Sequence, residues 1–118
     1  MKKFDLEERL IDFAVLIIDI LNDIKTNKAG NHLAGQIVRS GTSPALNYGE
    51  AQSAESRKDF LHKMKVCLKE LRETFVCLKI IEKSDLYESK QKIDLAKTEN
   101  NELISIFVKS IETASNKM

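Results

Sequence analysis

This chain has no tryptophan, a single proline at Pro44 and only four glycines among 118 residues. Long stretches are therefore free of the two residues that interrupt helices. The two cysteines, Cys67 and Cys77, fall on one predicted helix, and ten helical residues rise about 15 Å, beyond disulfide reach. Both are expected to act as small buried or half-buried hydrophobes in a reducing, cytoplasmic setting. The longest apolar run, Phe13 to Ile18, falls far short of the roughly 20 residues that cross a bilayer. No signal peptide is expected, because acids follow the lysines of MKKFDLEERL at once and no short apolar run ends in a cleavage site. The net charge of +1 gives no global basic excess of the kind that announces a nucleic-acid binder. Any such activity must come from charge segregated onto one surface.

What is present points to helices. Apolar residues make up 42% and charged residues 31%, an ordinary balance for a globular protein, and the length suits one domain with one core. Glu55 to Ser84 contains neither Gly nor Pro and reads as one long helix, with Ser53 or Ser56 as its cap. Phe60, Met64, Cys67, Leu71, Phe75 and Leu78 recur at spacings of 3 and 4 and share a face, widened by Leu61 and Leu68. At roughly 100° per residue, Lys58, Lys65, Arg72 and Lys79 fall on the opposite side, with His62, Lys69 and Lys83 beside them.

The other segments read as helices that cover this apolar face. Asp5 to Ile24 is the first, with Asp5 as N-cap and Glu7 and Glu8 in its first turn. Its core face is Leu6, Leu10, Phe13, Ala14, Ile17, Ile20, Leu21 and Ile24. Ile11, Ile18 and Leu16 widen the apolar arc, so the helix is either central or in contact with another subunit. After a loop over Lys25 to Gly30, a second helix is expected from an Asn31 cap to about Ser53. Propensity would break it at SGTSPALNYGE. The apolar period nonetheless passes through Leu33, Ile37, Gly41, Ala45, Tyr48 and Gln52, so a continuous helix kinked near Ser40 is favoured. Gly41 and Gly49 would admit a close neighbour. A fourth helix is expected from about Ser89 to Ser115, with Ile93, Ala96, Asn100, Leu103, Ile104, Phe107, Ile111 and Ala114 inward and the tail NKM frayed. Short loops between four helices predict an all-α, antiparallel up-down-up-down four-helix bundle.

Three groups of residues could carry function. Arg39, Ser43, Asn47 and Glu50 line one side of the second helix, with Glu70 and Arg72 of the third as partners across the bundle. They read either as a buried network that sets register or as a ligand contact. The cationic stripe Lys58, His62, Lys65, Lys69, Arg72, Lys79 and Lys83 reads either as a solvated face, partly neutralised by Glu73 and Glu82, or as a phosphate-binding surface. No aromatic residue is interleaved on that side, so base stacking is not supported there. Asp59-x-x-His62 has the spacing of half a di-iron site, but His32 has Ala29 where a second acid would stand, and no metal or cofactor is expected. No nucleophile-base pair, phosphate-cradling Gly loop or zinc motif occurs, so no enzyme activity is expected.

The segment IVRSGTSPALNYGEAQSAESRKDFLHKMKVCLKELRE resembles the signature of the four-helix bundle proteins encoded in intervening sequences of 23S ribosomal RNA genes. The matching positions are Arg39, Ser43, Asn47, Gly49 and Glu50, then Ser56, Lys58, Phe60 and Glu70, with NNELISIFVKSIE fitting near the end. The resemblance implies a ring-shaped homopentamer and kinship with the accessory protein of diversity-generating retroelements, which is thought to bind nucleic acid and a reverse transcriptase. Two readings follow. One is a homo-oligomer that binds RNA or DNA through the third helix. The other is a protein-interaction scaffold that uses surplus apolar residues: Ile11, Leu16 and Ile18 on the first helix, and Val66, Cys77 and Ile80 on the third. No membrane partner is expected.

Overall fold

The structure is a computed structural model that describes residues 5–117. Four helices fill it: α1 (Leu6–Asn22), α2 (Lys28–Ala51), α3 (Arg57–Lys83) and α4 (Lys90–Asn116). No strand occurs among the described residues. Each helix starts at a side-chain cap. Asp5 accepts from the Glu8 amide, Asn27 from Gly30, Ser56 from Asp59 and Ser89 from Lys92, each satisfying an amide that has no partner within the helix. The expected caps Asp5 and Ser56 hold. The second helix begins one turn earlier than expected, at Asn27 rather than Asn31, and ends at Ala51. The α4 helix runs on to Asn116 with Lys117 as its C-cap, and Met118 lies outside the described residues.

The end of α3 is closed by a Schellman pattern. Asp85 takes a left-handed φ of 55°, which turns the Leu86 amide back to Ile81 O (3.2 Å) and the Asp85 amide to Glu82 O (3.4 Å). Leu86 and Ile81 are both buried, supplying the apolar contact of that motif. The Leu86 carbonyl then accepts from the Lys25 amide (2.9 Å), which ties the α1–α2 and α3–α4 loops together at one end of the molecule.

Cross-helix pairs run in opposite order between α2 and α3 and between α3 and α4, which is compatible with an up-down-up-down bundle. Ile17 packs on Gly41 between α1 and α2. Arg39 reaches Glu70, and Glu50 reaches Lys63, between α2 and α3. Asn100 faces the Leu71–Phe75 turn, and Lys97 faces Glu82, between α3 and α4. The α2–α3 contact is the most extensive and the α1–α4 contact the thinnest. The molecule is accordingly a flattened slab of 47 × 32 × 19 Å.

The core joins Leu10, Phe13, Ile17 and Ile20 of α1 to Ile37 of α2, Met64, Leu71 and Leu78 of α3, and Ile93, Leu103 and Phe107 of α4. The helix passes through Pro44, which is buried. A β-carbon at Gly41 would stand 2.8 Å from Ile17 Cγ2, so this glycine lets α1 and α2 close together. Gly49 does not act this way, because its outer side is open.

Buried polar contacts also cross the core, among them those of Thr74 and Asn100. Thr74 Oγ1 lies 2.9 Å from both Ser40 Oγ and the Glu70 carbonyl. The Asn100 amide, oriented to satisfy both neighbours, donates to Leu71 O (3.0 Å) and accepts from the Phe75 amide (3.1 Å). Both cysteines are free and buried, and burial pushes the Cys67 thiol up to about 12.

Candidate nucleic-acid interface

The sequence-predicted stripe is a continuous ridge on the outer side of α3. Lys58, His62, Lys65, Lys69, Arg72, Lys79 and Lys83 are all exposed. None of them takes part in an ion pair among the described residues. The reason lies in where the acids of α3 point. Glu70 and Glu73 turn toward α2, where Arg39 binds both, with Arg39 Nη1 to Glu70 Oε1 at 2.6 Å. Glu82 turns toward α4 and binds Lys97 at 2.8 Å and Lys90 at 3.4 Å. Those bonds, Lys97 first, hold the Glu82 carboxyl below its ordinary range. Asp59 sits in the first turn of α3, where a negative charge suits the helix dipole. The partial neutralisation of the stripe by Glu73 and Glu82 that one of the two readings allowed is not seen among the described residues.

The ridge is not purely cationic. Val76 and Ile80 are exposed among its last lysines. Helical spacing from Arg72 places Val76 there, so the sequence carried the signal. Lys79 lies over the Phe75 ring, 5.2 Å from its centroid, a cation–π contact.

The polar row on α2 is divided rather than joined into one network. Arg39 is committed to Glu70 and Glu73. Asn47 Nδ2 donates within its own helix to Ser43 O (3.0 Å) and Ser43 Oγ (2.8 Å). Glu50 accepts from Lys63 Nζ at 2.6 Å, and that bond raises the Lys63 ammonium above its ordinary range. Arg72 is not part of it. It belongs to the ridge, and Glu70 alone of the two suggested partners meets Arg39. These pairs fix the register of α2 on α3. The Asp59 and His62 side chains belong to no cluster of three or more metal-ligating residues among those described.

The surplus apolar residues sort differently from expectation. Ile11, Ile18 and Ile80 are exposed, Leu16 and Val66 are half-buried, and Cys77 is buried, so Cys77 cannot serve a docking surface. Val15 on α1 and Leu46 on α2 are exposed as well. Among the described residues no helix is long and apolar enough to cross a membrane.

Comparison with known proteins adds to this geometry. The model of the family described as 23S rRNA-intervening sequence protein matches residues 2–109. The chain belongs to that family. No curated protein matches it. Among solved structures, the 23S rRNA-intervening sequence fold seen here is similar to a crystal structure from Bacteroides thetaiotaomicron, a protein of unknown function from the S23 ribosomal protein family. The two share 27% identity with a TM-score of 0.83, over 91% of this chain and 98% of that one.

Proposed function

We propose that this intervening-sequence protein is a non-enzymatic, self-associating helical bundle that binds the phosphate backbone of nucleic acid along the α3 ridge. One observation carries the reading: seven basic or imidazole side chains stand exposed on one helix face with no acid among the described residues paired to any of them. Unpaired surface cations bind phosphates by releasing condensed counterions, and the affinity grows with each phosphate neutralised. The family's tie to 23S rRNA makes ribosomal RNA the first nucleic acid to test. A ring of copies, five by the sequence resemblance, would repeat the ridge and multiply a weak contact.

The exposed Ile11, Val15, Ile18 and Leu46 favour a second reading, a protein-interaction scaffold. Replacing Lys65, Arg72 and Lys79 with Glu separates the two. Loss of RNA retention with the oligomer intact supports nucleic-acid binding. Unchanged RNA retention, with a protein partner still captured, supports the scaffold.

A further inference from the structure

The first turn of α3 lies between two cavities. One, of about 380 Å³, sits over the α2–α3 turn and includes Ala51, Arg57 and Phe60 in its lining. The other, of about 450 Å³, opens between the start of α3 and the end of α4. Phe60, Ile106 and Ala114 give it apolar lining, and Arg57, Lys109 and Lys117 give it positive charge. No acidic residue lines either cavity among the described residues. None of the three cations is in an ion pair among the described residues. Phe60 is half-buried and belongs to both cavities, so its ring forms part of the wall between them.

A ring beside unpaired cations has the chemistry of a site for a planar base with phosphate attached. A chain leaving this site meets the ridge at once, because Lys58 follows Arg57 and helps line a further hollow with Leu61, His62 and Lys65. We propose that the cavity at Phe60 takes an unpaired nucleotide at the end of a strand, with its base against Phe60 and its phosphates on Arg57, Lys109 and Lys117. This rests on the reading of the α3 ridge as a phosphate track and gives that track an end. It also supplies a ring for a base, whereas Phe75 beside the ridge lies under Lys79.

The test compares three RNAs: a short blunt duplex, the same duplex with a single-stranded extension, and that extension made of abasic nucleotides, which keeps the phosphates and removes the bases. The wild-type protein should bind the base-bearing extension about tenfold more tightly than the abasic one. Phe60→Leu keeps an apolar side chain and removes the ring. It should lose that preference while binding the blunt duplex as before, with the helical circular-dichroism spectrum retained and a cooperative melt confirming the fold. Equal wild-type affinity for the two extensions overturns the cavity assignment and leaves the ridge reading standing. No binding of any of the three RNAs at low salt overturns the ridge reading first. Displacement of the base-bearing strand by adenosine monophosphate at equal concentration would show a site for free nucleotides, which overturns the assignment to a strand end.

Discussion

Gly30 and Gly35 lie five residues apart on α2 and meet opposite surroundings. A β-carbon at Gly30 would stand 1.9 Å from the Lys25 carbonyl oxygen, a backbone atom that cannot move without reshaping the α1–α2 loop. At Gly35 nothing lies within 4 Å. Gly30→Ala should therefore cost about 2 kcal/mol or more, as overpacking against fixed backbone does. Gly35→Ala should stabilise by about 0.5–1 kcal/mol, because alanine restricts the unfolded chain and favours helix. Chemical denaturation of the two variants checks both signs. The same pair shows a limit of the sequence reading. KTNKAG looks like a loop by composition, and Gly30 reads as its end. In fact the Lys25 carbonyl folds against Gly30, and the helix has already begun at Lys28 under the Asn27 cap. The composition of the segment does not record how closely Lys25 and Gly30, five apart, pack.

Among the helices, α3 and α4 are held partly by Glu82, which accepts from Lys97 and Lys90. Lys97 is the larger cause of the lowered Glu82 pKa. A carboxyl whose folded pKa is depressed stabilises the fold above its unfolded value, and that stability is lost as pH falls through the folded value. Lys97→Gln should therefore be less stable than wild type at pH 7, and the gap should close as pH falls below about 4.5, the ordinary value for this group. Thermal melts across that range read the difference. The element boundaries at α1 and α3 were legible because their caps and apolar periods agree. The passage of α2 through Pro44 was legible only as periodicity opposing propensity. The period prevailed because Pro44 is buried and Gly41 seats Ile17, so packing on both sides outweighs one missing amide. The split of the Arg39, Ser43, Asn47 and Glu50 row was not legible, since spacing places those residues on one side without saying which neighbour each meets.

At the scale of the whole molecule, two surfaces remain without a partner in the single chain. One is the α1 stripe Ile11, Val15 and Ile18, all three exposed. An apolar face of this kind suits self-association. Light scattering at micromolar concentration should show an oligomer, and Ile18→Glu should shift it toward monomer while the helical content stays the same. A wild-type monomer would contradict that assignment. The other surface is the α3 ridge. The sequence revealed it through a seven-residue spacing, but its freedom from ion pairs depended on Glu70, Glu73 and Glu82 turning to α2 and α4, which only the fold decides. The most direct test of the account measures RNA affinity against salt, from about 50 to 200 mM, for wild type and for the Lys65→Glu, Arg72→Glu, Lys79→Glu variant. A log-log line falling steeply with salt is expected for the wild type, and a slope shallower by roughly 2 for the variant at about 0.7 per lost phosphate contact. A wild-type affinity that does not change with salt, or a variant whose slope matches the wild type, would contradict it.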